Sequence, residues 1–136
     1  MEQVSYKKAN ILVVDDINAN LIILTEIIRN AGYIARPVTS AERAMSAIEA
    51  LFPHMILLDI SMPNISGFEF CARLKKSART RDIPILFITS CYSREEKMKC
   101  FKLGAVDYIA QPFDVDEITV RINTHLKIYK MQQELE

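Results

Sequence analysis

Unbroken apolar runs recur along this chain, and segments of helical period fill the gaps between them. A run such as Ile83-Pro84-Ile85-Leu86-Phe87-Ile88 has no polar residue at alternate positions, so as a strand it is buried on both faces, the mark of a parallel sheet covered by helices. Strand-like stretches at Ile11 to Val14, Tyr33 to Val38, Met55 to Leu58, Ile83 to Ile88 and Asp107 to Ile109 each precede a helical pattern. Those patterns run from Asn18 to Asn30, Ala41 to Leu51, Phe68 to Lys75, Glu95 to Leu103, and from Val115 onward. Five βα units predict a doubly wound α/β fold, a five-stranded parallel sheet with helices on both faces. A chain of 136 residues suits one such domain.

Local punctuation agrees with these boundaries. Thr39-x-x-Glu42 and Asp114-x-x-Glu117 have capping-box spacing ahead of helical segments, and Gly32 and Gly104 stand where helices should stop. Met45, Met55 and Met98 fall at core-like periods and read as gap-filling residues. Residues 1–9 read as a short tail, 10–127 as the domain, and 128–136 as an extension of the last helix. Ile118, Ile122, Leu126 and Tyr129 make a sheet-facing stripe, whereas Ile128, Met131 and Leu135 begin a second stripe with heptad-like spacing. That second stripe is either a plain helix end or the start of a linker to a further domain.

Several function classes are disfavoured. Seventeen Lys and Arg balance seventeen Asp and Glu, so no general nucleic-acid or anionic-membrane footprint is expected. Cys71, Cys91 and Cys100 are odd in number and lack Cys-x-x-Cys spacing, which supports neither a disulfide framework nor a zinc site. The first apolar run ends after four residues at Asp15-Asp16, too short for a signal or membrane segment. A cytoplasmic setting is the expectation. His54 and His125 have no metal-ligand spacing, and the cysteines read as buried or semi-buried thiols.

The chemistry gathers where apolar runs stop. Asp15 and Asp16 end the first run and Asp59 ends the third; Thr89 follows the fourth and Gln111-Pro112 the fifth. In an open parallel sheet these ends share one crevice. Carboxylates brought together there repel, and a hard divalent cation such as Mg2+ is the simplest counter-charge.

The order and spacing of Ile11-Leu12-Val13-Val14-Asp15-Asp16, Leu57-Leu58-Asp59-Ile60-Ser61-Met62-Pro63 with Gly67, Ile88-Thr89-Ser90, and Gly104-Ala105-x-Asp107-Tyr108-Ile109-x-x-Pro112-Phe113 are specific in combination. Over nearly its whole length the chain resembles the receiver domain of two-component response regulators. The resemblance implies strand order 2-1-3-4-5 and Mg2+-dependent phosphoryl transfer onto Asp59 from a histidine kinase or histidine phosphotransfer protein. It implies that Asp16, Asp59 and the Ser61 carbonyl ligate the ion, with Asp15 acting mostly through bound water. Thr89 would donate to a phosphoryl oxygen, its movement releasing Tyr108 to rotate inward, and a cis peptide is common before Pro112. The resemblance further implies output through the face of the fourth helix, fifth strand and fifth helix, to an attached domain or a separate effector. Homodimerisation is left open, and no direct nucleic-acid or membrane contact by this domain is implied. Turnover beyond self-phosphorylation and autodephosphorylation is not expected.

One position departs from the family pattern: receivers carry lysine where this chain has Gln111. A unit charge at contact distance is worth at most about 4 kcal/mol at an effective dielectric near 20. Its loss should weaken or alter switching rather than forbid the chemistry. Lys97, Lys99 and Lys102 lie on the preceding helical pattern and do not replace it in sequence. Small residues at Ser61 and Cys91, positions that tune acyl-phosphate lifetime in the family, imply an unexceptional or short lifetime.

Gln111 also motivates a different reading, a receiver-like interaction module that works without phosphorylation. A phosphohydrolase would want a second carboxylate two residues after its nucleophile, where Ser61 stands. A flavin-binding relative of the same fold would want a phosphate loop where Asp15-Asp16 would repel phosphate.

Overall fold

The computed structural model describes residues 9–90 and 93–135. Five strands and five helices alternate: β1 Asn10–Val14, α1 Asn18–Asn30, β2 Ile34–Val38, α2 Ala41–Ala50, β3 Met55–Asp59, α3 Gly67–Lys76, β4 Ile85–Thr89, α4 Arg94–Lys102, β5 Asp107–Ala110 and α5 Val115–Leu135. The strands are parallel in the order β2-β1-β3-β4-β5, the order that the family resemblance implies.

Alternate residues of each strand point to opposite sides of the sheet, and two cores result. Ile11, Val13, Met55, Leu57, Leu86 and Ile88 pack with residues of α1 and α5. Leu12, Val14, Ile56, Leu58, Ile85 and Phe87 pack on the other face with α2, α3 and α4. Apart from Asn10, Asp59 and Thr89 at their ends, the central strands are therefore apolar at every position, which is why their runs are unbroken. β2 is an edge strand, so it tolerates Pro37, opposite Val13, and leaves Ile34 half exposed.

Helix boundaries follow from local hydrogen bonding. Ser40, Ser66 and Ser93 each accept an N–H from three residues ahead, at Arg43, Glu69 and Glu96. The cap of α2 is thus Ser40, not Thr39; the helix starts one residue later, so Glu42 lies one place short of the capping-box position. Asp114 does accept the Glu117 N–H, at 3.0 Å. After α1, the N–H of Gly32 donates to Arg29 and that of Tyr33 to Ile28; after α4, Gly104 and Ala105 repeat the pattern to Phe101 and Cys100. Both glycines have φ near +97°, the left-handed turn that ends a helix in this way. α2 ends differently: the Arg36 guanidinium reaches from β2 to the carbonyls of Ala47 and Leu51.

Three other expectations are corrected. Ala9 reads as tail in the sequence, but its side chain is in the core and its carbonyl accepts the Ile34 N–H. Met45 and Met98 are exposed, because α2 buries the stripe Ala41, Ala44 and Ile48 and α4 buries only Cys100. Met55 is fully buried as expected. Along α5, Ile118, Ile122 and Leu126 face the sheet while Ile128 and Met131 are exposed. Cys71 and Cys100 are buried, and burial pushes both thiols up to about 11, leaving them unreactive near neutrality.

Gly67 joins this scaffold to the end of β3. Its N–H donates to the Ile60 carbonyl at 2.8 Å, and a β-carbon placed on it would lie 2.0 Å from the Asp59 carbonyl oxygen. Gly67→Ala is expected to cost about 1–3 kcal/mol or more, read as a lower urea midpoint with unchanged slope. An unchanged midpoint would show that the turn after Asp59 yields freely.

Candidate functional site

Strand register decides which side chains meet. Val14 lies opposite Leu58, so the residues next in line, Asp15 and Asp59, emerge side by side. β1 is also the point where the strand order reverses, with β2 on one side and β3 on the other, which opens a crevice at the carboxyl ends. Among the described residues, Asp15, Asp16 and Asp59 offer carboxylate oxygens all within 4.8 Å of one another.

The three acids differ in environment. Asp15 is fully buried, Asp59 half-buried and Asp16 exposed. Asp15 is held at both oxygens, Oδ1 by the N–H of Ile17 at 2.9 Å and Oδ2 by the side-chain amide of Asn20 at 3.0 Å. Burial raises its pKa against the pull of these two bonds, and the charge of Asp16 raises it further. Asp59 is pushed up to about 7, first by burial and then by the charge of Asp15, with Asp16 adding to both and the Ser61 N–H on Oδ1 opposing. Close-set acids under mutual repulsion, one of them exposed to solvent, form a donor set suited to a hard cation that retains some water.

Thr89 ends β4, buried, one residue beyond the Ile88 that lies opposite Asp59. Its carbonyl accepts the Gln111 N–H at 3.0 Å, and the Gln111-Pro112 peptide is cis. The side chain of Gln111 reaches back to α1, where Nε2 donates to Asn20 Oδ1 at 2.8 Å. Lys97 lies over the ring of Tyr108 and Lys99 over that of Phe68. Tyr108 is half-buried, edge-on to Phe101, with the Arg121 guanidinium 5.1 Å from its ring centre. Arg121 also pairs with Asp107, and His125 Nε2 lies 3.0 Å from the second oxygen of Asp107. Cys91 lies outside the described residues.

Asn20 was not singled out from the sequence, although a signal was present. It shares the buried stripe of α1 with Leu24, Ile27 and Ile28. An amide at an apolar position of a helix needs a partner, and Asp15 stands at the preceding strand end.

Comparison with known proteins agrees with this fold. Residues 11–123 match the family described as the response regulator receiver domain. The chain is 33% identical to the DNA-binding dual master transcriptional regulator RpaA of Synechocystis over 86% of its length and 48% of that protein. It is 36% identical to the transcriptional regulatory protein YvrH of Bacillus subtilis over 89% of its length and 50% of that protein. It thus spans about half the length of these relatives. The crystal structure of NtrX from Brucella abortus superposes with a TM-score of 0.88 at 26% identity, covering 94% of this chain and 29% of that one.

The raised pKa of Asp59 has a stability consequence. Its folded value of about 7 lies above the usual 3.8, so ionisation costs the folded state as pH climbs between the two, and the full cost is present above 7. In metal-free buffer at pH 8, Asp59→Asn is expected to raise the melting temperature by at least about 3 °C, the effect of roughly 1 kcal/mol in a domain of this size. The gain should shrink as pH falls toward 4. A difference independent of pH would contradict the assignment of repulsion to Asp59.

Proposed function

This chain belongs to the response regulator receiver family, and from that membership we propose that it is a phosphoacceptor whose Asp59 takes a phosphoryl group in a Mg2+-dependent reaction. The observation that carries the reading is the convergence of Asp15, Asp16 and Asp59 at the switch point of the sheet. Asp16, Asp59 and the Ser61 carbonyl would hold Mg2+, with Asp15 supporting it through water. When bound, the ion supplies the positive charge that offsets the carboxylates and the phosphoryl oxygens.

The donor is a phosphohistidine on a kinase or phosphotransfer protein: its phosphorus–nitrogen bond breaks as a bond forms from phosphorus to Asp59 Oδ. The Ser61 N–H on Asp59 Oδ1 limits rotation of the nucleophile. Thr89, one residue past the partner of Asp59 in the sheet, would donate its hydroxyl to a phosphoryl oxygen. Tyr108 then reports the change on the face of α4, β5 and α5, where Met98, Phe101 and Val106 are exposed apolar residues. That face would serve an output domain, an effector or a second copy.

Gln111 shapes the readout. Its amide bonds to Asn20, so it brings a neutral donor where family members bring an ammonium, and it couples phosphorylation to the loop after β5 more weakly. The same bond favours a second reading, an interaction module indifferent to phosphorylation, which requires that Asp59→Asn leave partner binding intact.

With a small-molecule phosphodonor and Mg2+, intact-mass measurement should show one phosphoryl adduct on the wild type and none on Asp59→Asn. Gln111→Lys should label faster. A wild type that stays unlabelled under conditions that label Gln111→Lys would contradict the phosphoacceptor reading.

A further inference from the structure

A continuous line of hydrogen bonds leaves the acidic crevice without passing through any charged donor. Gln111 Nε2 donates to Asn20 Oδ1 at 2.8 Å, Asn20 Nδ2 donates to Asp15 Oδ2 at 3.0 Å, and Asp15 Oδ1 accepts the Ile17 N–H at 2.9 Å. The direction of each bond is dictated by chemistry. An ionised carboxylate only accepts, so Asn20 must turn its NH2 toward Asp15, which leaves its carbonyl oxygen facing Gln111. A glutamine amide answers that oxygen with an N–H.

Both ends of the line are anchored. Asn20 and Asp15 are buried, at 9% and 0% exposure, so the carboxylate has little freedom to rotate and the relay runs largely out of solvent. At the other end, the Gln111 backbone is tied to the Thr89 carbonyl at 3.0 Å. One residue of the loop after β5, the edge strand, is thereby fastened both to β4 and to α1 on the far side of β3.

We propose that Asn20 and Gln111 are positioning residues: their amide relay sets the orientation of Asp15 for the divalent cation and carries the ion's presence to the loop after β5. The inference rests on the Mg2+ reading above and deepens it. A shift of the Asp15 carboxylate toward a bound ion moves Asn20, and the bond from Gln111 follows. Hydrogen-bond partners of direct metal ligands contribute about 10–100-fold to affinity, and Asp15, which acts through water, is expected to pass on less. In this chain the relay provides a neutral path between the metal site and the loop that a lysine serves elsewhere in the family.

The test is a Mg2+ titration followed by 15N-edited NMR, with the Ser61 amide as reporter of the site and the Gln111 side-chain NH2 as reporter of the relay. In the wild type both signals should shift with the same midpoint. In Asn20→Ala the Ser61 response should persist with a midpoint weakened at least about threefold, toward the tenfold that outer partners give, and the Gln111 response should vanish. Gln111→Ala, on a surface loop, provides the same affinity test if Asn20→Ala does not fold. The double variant should be no weaker than the worse single one, as for links of one chain. A Gln111 signal that still follows Mg2+ in Asn20→Ala, midpoints that move less than about threefold, or effects that add fully would each overturn the relay. A wild type whose Ser61 amide ignores Mg2+ would overturn the metal reading itself, and the relay with it.

Discussion

Everything distinctive about this domain depends on placing three carboxylates within 4.8 Å of one another, one of them fully buried. Such an arrangement opposes folding, since burial and repulsion both act against charge and lift Asp59 to about 7. The surrounding sheet imposes it nonetheless. Two apolar strands on neighbouring positions, each buried on both faces, cannot slip by one residue without turning their side chains onto the wrong core. Register therefore delivers Asp15 beside Asp59 whether or not the two acids tolerate each other. Strain of this kind is what a bound cation would relieve.

Much of this was legible in the residues because the central strands advertise themselves. Ile11 to Val14, Met55 to Leu58 and Ile83 to Ile88 are apolar at consecutive positions since two helical layers cover them, and the acids follow where burial ends. The stops at Gly32 and Gly104 were equally plain, because each adopts a positive φ that other residues avoid. Features set by a single residue of offset were harder. Thr39 and Ser40 are both competent caps, and only the backbone at Ser40 selects one. Met45 and Met98 fit an apolar period by spacing, but they lie beside the buried stripe of α2 and α4 rather than on it.

The contact between Gln111 and Asn20 was not legible at all. Gln111 stands 91 positions from Asn20, and nothing local in either segment reveals that the two amides meet. From the sequence, Gln111 reads as a missing charge. In the fold it is also a gained hydrogen bond, so the loop after β5 is attached to the site by a different chemistry. Two lysines of α4 are occupied elsewhere, Lys97 over Tyr108 and Lys99 over Phe68. The relatives run to about twice this length.

The claim that the strand-end acids form a divalent-cation site is tested most directly by crystallography with Mn2+ in place of Mg2+, using its anomalous signal. The account predicts one peak in the crevice, at ligand distance from Asp16, Asp59 and the Ser61 carbonyl, with Asp15 close behind. A crevice without a peak at saturating Mn2+, or an ion bound only elsewhere on the surface, would contradict it.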